Sequence, residues 1–260
     1  MLFRPTATIE GRTVACPLAW TSLCVKDIAS WETGEAGADR LEASHKTIMY
    51  LPAHFEETRP EVLHQLMHEH GLATLVTMST QGLNANHIPL EFDPEPSPFG
   101  TLRGHVARAN PLWRDLSPGA EALAIFQGPQ AYISPGWYAT KKDSGKVVPT
   151  YNYIVVHAYG SLRIIDDPEW LRGLVGRLTT RYESTRAEPW HVTDAPADFV
   201  DTQLRAIVGL ELPITRLIGK WKASQNRPRA DRDGVVAGLR ERDDANAQSM
   251  ADYVAKNGKP

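Results

Sequence analysis

Hydrophobic and polar residues alternate with the period of β-strands along much of the middle of this chain. Two such runs, residues 72–79 and 83–92, flank the polar turn Thr80-Gln81-Gly82, and this arrangement predicts a β-hairpin. Pro89 lies in the second run and cannot donate to a ladder, so it predicts an edge or a bulge there. Further strand patterns cover residues 101–106, 122–133, 150–165 and 210–222, with Gly128-Pro129 as a turn or bulge.

Helical periods are fewer and lie between or after the strands. Thr58-Arg59-Pro60-Glu61 is typical of a capping box and predicts a helix that ends near His70. Further helices are predicted from Asp167-Pro168 to Tyr182 and over residues 196–208. Because strands and helices do not alternate regularly, we do not expect a doubly wound parallel sheet. The pattern predicts an α+β protein that is mainly β, a closed or half-open barrel with flanking helices.

The chain divides into three parts by pattern and composition. Residues 1–48 have no sustained periodicity and predict a poorly ordered N-terminal extension. Residues 49–222 hold the strands and the inserted helices of the barrel domain. Residues 223–260 are charged and partly helical, and we expect them to form a tail packed on the barrel. Met49 is an alternative start that the sequence leaves open.

Composition narrows the class of protein. The 260 residues are 42% hydrophobic and 23% charged with a net charge of −3, values of a globular protein without a basic field for nucleic acid. Only Cys16 and Cys24 occur, which favours a reducing cytoplasm over a disulfide framework. The apolar run over residues 14–25 is too short to span a bilayer, so no membrane partner is expected. A signal peptide ranks low because no small-residue cleavage site follows this run.

The stretch TLRGHVARANPLW, residues 101–113, carries the strongest candidate chemistry. Strand parity places Arg103 and His105 on one face, and Gly104 between them leaves room for a close approach. Asn110 followed by Pro111 predicts a helix start directly after the strand. A cationic strand end beside a helix N-terminus is a plausible phosphate site.

Four segments together resemble one known family. They are MYLPAHF (49–55), NHIPL (86–90) with the RGH of 103–105, PTYNY (149–153) and KWKASQNR (220–227). Their order and spacing are similar to the PaiB-type FMN-binding negative transcriptional regulators, relatives of the pyridoxamine-phosphate-oxidase-like split barrels. The resemblance implies an FMN-binding split β-barrel of six strands that forms a homodimer with FMN at the interface.

FMN contacts are expected from the residues of these segments. FMN needs cations for its phosphate, an apolar or aromatic wall for its ring and small polar groups for its ribityl chain. Since neighbouring strand residues face opposite ways, only one of Asn86 and His87 is expected to line the pocket. The predicted cofactor-binding residues are Asn86, His87, Arg103, Gly104, His105, Tyr151, Lys222 and Gln225.

Several functions are compatible with an FMN-binding split barrel. The preferred hypothesis is a flavin-binding regulator or sensor, and the alternative is a flavin-dependent oxidoreductase acting on a small molecule. Direct DNA binding is disfavoured by the acidic charge and the missing helix-turn-helix pattern, so DNA contact would be indirect or weak. A metal site from His87, His105 and His157 has little support, since nothing brings the three together. No catalytic residue is assigned, because no nucleophile motif occurs.

Overall fold

The structure is a computed structural model that describes residues 6–9, 12–15, 49–117 and 119–256. The chain forms two compact units, residues 1–46 and 47–260. In the first unit, strand β1 (Thr6–Ile9) pairs antiparallel with β2 (Arg12–Ala15). The rest of the predicted poorly ordered extension, with both cysteines, lies outside the described residues.

The second unit is built on two antiparallel sheets. The six-stranded sheet has the order β3 (Glu56–Glu57), β12 (Arg216–Lys222), β9 (Thr150–Ser161), β8 (Glu121–Ile133), β4 (Leu72–Ser79), β5 (Gly82–Pro89). The four-stranded sheet has the order β10 (Arg163–Ile165), β11 (Ile207–Pro213), β7 (Thr101–Ala107), β6 (Glu91–Asp93). The predicted hairpin is confirmed as β4 and β5, but the return strand predicted to reach residue 92 ends at Pro89, and Glu91 and Phe92 belong to β6 in the other sheet.

Between residues 49 and 256, six α-helices accompany the sheets in the part of the chain that the structure describes. They are α1 (Pro60–Glu69), α2 (Lys141–Ser144), α3 (Pro168–Glu183), α4 (Ala197–Arg205), α5 (Arg229–Arg240) and α6 (Ala245–Lys256). Short 3-10 helices cover Ala53–Phe55, Pro111–Trp113, Pro135–Trp137 and Val192–Asp194. Within the described ranges, none of the helices combines the length and the apolar character that crossing a bilayer requires.

Two predicted long strands are each broken and shared between the sheets. The run 150–165 leaves the six-stranded sheet after Ser161 and continues in the four-stranded sheet as β10. The run 210–222 is likewise divided into β11 and β12 by Ile214 and Thr215. Gly160 lies at this corner because the backbone oxygen of Pro213 occupies the space of a side chain there. These crossings join the two sheets into the predicted mainly β split barrel with flanking helices.

The core lies between the sheets. Leu75, Phe126 and Ile154 of the six-stranded sheet belong to one buried cluster with Leu102 and Leu210 of the four-stranded sheet. The predicted irregularity at Gly128-Pro129 is a bulge between β8 and β9. A side chain at Gly128 would collide with Leu66 of α1, so this glycine lets α1 pack closely on the sheet. Helix α6, from the expected C-terminal tail, packs against β8.

The predicted capping box at the start of α1 is wrong. Arg59 is the N-cap residue, and its side chain makes no capping hydrogen bond. The carboxylate of Glu57 instead accepts a hydrogen bond from the Arg59 backbone amide at 3.0 Å and binds the Arg59 guanidinium at 2.6 Å. Because Glu57 belongs to the short strand β3, the sheet rather than Thr58 fixes where this helix begins.

Candidate functional site

A chain of side-chain amides lies where the edge strand β5 meets the Pro111–Trp113 turn. Asn86 Nδ2 donates to Asn84 Oδ1 at 2.8 Å, and Asn110 Nδ2 donates to Asn86 Oδ1 at 2.9 Å. Asn110 Oδ1 accepts from the Leu112 amide at 2.9 Å, which confirms the predicted N-cap, although the helix is 3-10. We call Asn84, Asn86 and Asn110, with Trp113 and Arg114, the rim cluster.

Trp113 and Arg114 complete the rim cluster. The Arg114 guanidinium lies 4.4 Å from the centre of the Trp113 ring, and the indole Nε1 donates to the Arg108 backbone oxygen at 3.0 Å. Arg114 is exposed and makes no ion pair within the described ranges. The Arg108 side chain, in contrast, is engaged by Asp166 and by the Arg205 and Ile207 backbone oxygens. The rim therefore offers amide donors and one solvent-facing cation held on an aromatic ring.

His87 lies on the opposite side of β5 from Asn86, as strand parity predicts. Its Nδ1 is 3.1 Å from Thr74 Oγ1 of β4. His87 and Thr74 share a sheet face with the facing residues of the next strands, Ile125, His157 and Ile218. We call this face, which lies opposite the core, the outer face of the six-stranded sheet.

The far end of the outer face carries aromatic and cationic residues. Tyr132 and Tyr151 face each other across β8 and β9 with ring centres 5.9 Å apart, and both are exposed. Lys222 lies opposite Tyr153, and its Nζ donates to Thr150 Oγ1 at 2.7 Å. We call Tyr132, Tyr151, Tyr153, Lys222 and its strand neighbour Lys220 the sheet-face cluster.

Lys220 is the most unusual member of the sheet-face cluster. It is only 6% exposed, and its Nζ donates to the Tyr50 backbone oxygen at 2.7 Å. The ammonium lies 5.5 Å and 5.4 Å from the ring centres of Tyr50 and Tyr153. No carboxylate of residues 49–117 or 119–256 forms an ion pair with it. Buried ammonium groups are normally paired, so this environment suits an anionic ligand group.

His157 and Tyr159 lie beside Lys220 on the outer face. Burial lowers the pKa of His157, and the charge of Lys220 lowers it further, so the imidazole is neutral at pH 7. His157 Nδ1 is 3.4 Å from the Tyr159 hydroxyl. The Arg216 guanidinium lies 4.0 Å from the centre of the Tyr159 ring. A neutral imidazole next to a phenol can pass a proton between the two groups, here between His157 and Tyr159.

Arg103 does not join either cluster. Its guanidinium binds Glu211 at 3.0 Å and Asp93 at 2.5 Å within the four-stranded sheet. Burial lowers the pKa of Arg103, but its hydrogen bonds to Glu211 and Asp93 outweigh that and raise it. Two carboxylates neutralise this cation, so the geometry gives no support to its predicted role as a phosphate ligand.

Gly104 and His105 also lie away from the clusters. Gly104 is buried, and a side chain there would collide with Leu90, so its role is close packing rather than ligand approach. His105 faces Gly209 across β7 and β11, and the Trp170 ring of α3 packs over that glycine. Burial beneath this layer lowers the pKa of His105. Arg103 and His105 do share one strand face, as predicted, but α3 and two carboxylates occupy it.

Gln225 uses its side chain within a turn. Its Oε1 accepts from the Ala223 amide at 2.8 Å, and its Nε2 donates to the Trp221 backbone oxygen at 2.5 Å. These bonds close the turn in which Ser224 has a left-handed φ of 63°. The predicted contact between Gln225 and the cofactor gains no support from this geometry.

The donors of the two clusters fit FMN. Side-chain amides suit the ribityl chain and the ring edge, tyrosines suit the ring, and lysines suit the phosphate. Sequence reasoning missed Asn84, and it left Tyr153 and Lys220 out of the predicted set although both lie in the family segments. Each of the three lies two positions from a predicted residue and shares its strand face. The strand period was therefore the signal that would have found them. The described residues hold no group of three His, Cys, Asp or Glu side chains that could bind a metal.

Residues 49–216 match the protein family described as "Putative FMN-binding domain". The match confirms the predicted family resemblance and the prediction of FMN as the cofactor. It begins at Met49, the first residue of the first segment on which the resemblance rests.

Two relatives cover most of the chain. Protease synthase and sporulation protein PAI 2 of Bacillus subtilis is 32% identical over 206 residues, which are 79% of this chain and 96% of that protein. An uncharacterized protein of Emericella nidulans is 34% identical in an alignment of 245 positions that covers 81% of this chain and 98% of that protein. Among solved structures, the FAD and heme binding protein from Mycobacterium smegmatis has a TM-score of 0.50 at 20% identity, covering 70% of this chain and 80% of that one, and it shares the fold.

Proposed function

Because this chain belongs to the family of FMN-binding domains, we propose that it binds FMN between two copies of itself and acts as a flavin-dependent sensor with a regulatory role. The flavin would contact the rim cluster of one protomer and the sheet-face cluster of its partner. The observation that supports this proposal is that the two complementary clusters lie at distant positions of one sheet.

The separation of the two clusters follows from the strand register. Asn86 on β5 is aligned through Leu75 and Ala124 with Ala158 on β9, three strands away. Tyr153 lies five residues further along β9. Strand spacing and rise place the clusters about 20 Å apart, too far for both to hold one ring system. Asn86 lies on the side of β5 opposite the outer face, so a two-fold pairing of outer faces that extends past the β5 edge would bring the rim of one copy to the sheet-face cluster of the other.

The outer face has the composition of an interface between copies. Its middle carries the partly exposed aliphatic side chains Val76, Leu123, Ile125 and Ile218. Exposed Leu83 continues this apolar surface to the edge strand. The sheet-face cluster lies at one end of this face, whereas Asn86 of the rim cluster lies beyond its β5 edge, on the opposite side of that strand. Aliphatic residues flanked by polar groups are typical of a homodimer interface with a ligand at its rim. A second copy is therefore the proposed occupant of this face.

The regulatory role draws its support from the Bacillus subtilis relative, whose name refers to protease synthase and sporulation. The net charge of −3 argues that any effect on DNA is indirect or weak. Because the flavin would lie in the dimer interface, its binding or its reduction would change that interface. Such a change could transmit the state of the flavin to other molecules. We propose that the protein acts in the cytoplasm, because a chain with only two cysteines favours a reducing compartment.

A flavin-dependent oxidoreductase is the second candidate, and His157 favours it. The imidazole is neutral, lies 3.4 Å from the Tyr159 hydroxyl, and shares the outer face with the sheet-face cluster. Such a pair can donate or accept the proton that accompanies hydride transfer. Bound FMN would supply the hydride chemistry, while His157 and Tyr159 would hold the proton.

A complementation experiment tests the shared site. Asn86→Leu removes a rim amide, and Lys222→Met removes a sheet-face cation, so each variant alone should bind FMN weakly. After the two are unfolded together and refolded, random pairing gives mixed dimers with one intact site each. Wild-type FMN affinity should return at about a quarter of all sites, measured by flavin fluorescence quenching. Asn86→Leu mixed with Asn110→Leu is the control and should restore nothing, because both changes lie in the rim.

The same preparation separates the two functions. A sensor should hold FMN without consuming reduced nicotinamide, whereas an oxidoreductase should bleach the visible absorption band of the flavin on mixing with NADPH. Steady turnover that His157→Gln slows without loss of FMN would favour the enzyme. If mixing the rim and sheet-face variants restores no binding, the flavin is held within one chain and the shared-site proposal fails.

A further inference from the structure

A cleft of about 800 Å³ lies between the first turn of α5 and the last turn of α6. Arg227, Arg229 and Arg232 line one side together with Asp233, and Val236 and Val254 form an apolar wall. Its volume is within the range of small-molecule sites. The cleft is not part of the rim cluster or the sheet-face cluster.

The charge of the cleft favours an anion. Three guanidinium groups face one carboxylate, and the Arg229–Asp233 pair is long at 3.7 Å with both side chains mostly exposed. The α5 N-terminus adds a positive end, but the α6 C-terminus adds a negative one, so the helix dipoles largely cancel. Three arginines and one aspartate among the lining residues therefore give the cleft an excess of positive charge.

The wall that carries the arginines is held rigidly. Asp231, in the first turn of α5, is buried and accepts hydrogen bonds from the Thr140 amide and hydroxyl. The Arg227 guanidinium lies 4.7 Å from the centre of the Tyr138 ring. Trp137 packs against Gly234 and Gly238 on the other side of the same helix. These contacts fix the backbone that carries the arginines, although the Arg229 side chain itself is exposed, and a fixed backbone lowers the entropic cost of binding.

We propose that this cleft binds a phosphorylated small organic molecule. The phosphate dianion matches the excess of positive charge, and guanidinium forks bind its oxygens in pairs. The organic part packs on Val236 and Val254, an apolar surface that inorganic phosphate alone would leave uncovered. The proposal does not depend on flavin binding, but FMN is itself a phosphate ester, and the experiment separates the two sources.

Calorimetry on the full chain saturated with FMN tests the proposal, with phenyl phosphate as the probe. Phenyl phosphate should bind with a Kd below about 1 mM and more weakly as salt is added. Inorganic phosphate lacks the ring and phenol lacks the charge, so each should bind at least about 10-fold more weakly. Saturation of the flavin site beforehand ensures that the heat reports a separate site.

Variants locate the site within the cleft. Arg229→Gln and Val236→Asp should each weaken phenyl phosphate about 10-fold, one by removing a guanidinium and the other by placing a carboxylate on the apolar wall. Arg186→Gln removes an exposed arginine outside the cleft and should leave the affinity unchanged. Unfolding midpoints equal to wild type show that the variants fold.

Three results would overturn the proposal. One is the absence of saturable phenyl phosphate binding up to about 10 mM in the FMN-saturated protein. Another is weaker binding of FMN, but not of riboflavin, in Arg229→Gln, because the cleft would then hold the phosphate of the flavin itself. Equal affinity of wild type and both cleft variants for phenyl phosphate would count against it in the same way.

Discussion

Thr140 presents both its backbone amide and its hydroxyl to the buried carboxylate of Asp231, at 2.9 Å and 2.8 Å. Asp231 is 1% exposed and lies in the first turn of α5, while Thr140 precedes α2 in the loop between β8 and β9. One carboxylate thus ties the C-terminal helices to the loop that leads into Thr150, the partner of Lys222. The hydrogen bonds between Asp231 and Thr140 therefore hold the C-terminal helices on the barrel near the proposed flavin site.

Removing this carboxylate should cost much of the stability of the domain. Asp231→Ala leaves the Thr140 amide without its acceptor, and we expect a loss of about 2–4 kcal/mol in the free energy of unfolding. Urea denaturation followed by tryptophan fluorescence measures it. Asp233→Ala on the same helix is the control, since this side chain is exposed and its ion pair is long. Equal effects of the two substitutions would show that the Thr140 contact is not a specific tie.

Arg103→Ala should change stability rather than cofactor affinity. The substitution leaves Glu211 and Asp93 facing each other without their shared cation, so we expect a loss of about 1–3 kcal/mol in unfolding free energy. FMN affinity, titrated by fluorescence, should stay within about threefold of wild type because Arg103 touches neither cluster. A large loss of FMN affinity at unchanged stability would return Arg103 to the phosphate site.

Two helical glycines should respond oppositely to alanine. Gly238 on α5 faces the Trp137 ring, and a methyl group there would collide with it. Gly176 on α3 has no neighbouring atoms where a methyl group would lie. Gly238→Ala should therefore destabilise the protein, by about 1–3 kcal/mol, whereas Gly176→Ala should stabilise it by about 0.5–1 kcal/mol. Thermal unfolding of the pair checks the prediction, and destabilisation by Gly176→Ala would contradict it.

Stability should fall as the pH drops from 7 toward 5. Burial lowers the pKa values of His64, His105 and His157 in the folded chain. Below the ordinary histidine pKa of about 6.5, the unfolded chain therefore binds protons that the folded chain does not, which favours unfolding. Carboxylates titrate mainly below this window, so histidines dominate it.

The variant His105→Gln isolates one of these groups. Its unfolding free energy should depend less on pH between 7 and 5 than that of the wild type, as measured by urea denaturation at several pH values. His191→Gln, a change at an exposed position, should keep the wild-type slope. An unchanged slope in His105→Gln would show that His105 does not titrate differently in the folded and unfolded chains.

Strand and helix patterns predicted most elements because each depends on local spacing. The hairpin of β4 and β5, the bulge at Gly128-Pro129 and the cap at Asn110 all followed from turn and capping chemistry within a few residues. The breaks at Leu162 and Ile214 were not predicted, because a strand that changes sheets keeps its alternation and only the partner strands differ.

The sequence by itself determined the family, the cofactor, the mainly β architecture and the opposite orientations of Asn86 and His87, since motif order and strand parity are properties of the chain alone. Only the tertiary structure decided that Arg103 is neutralised by Asp93 and Glu211, that His105 lies beneath α3, and that Lys220 is buried among tyrosines. A charged residue is free or paired according to residues far away in sequence. Those partners are set by sheet register and helix packing, which no local pattern specifies.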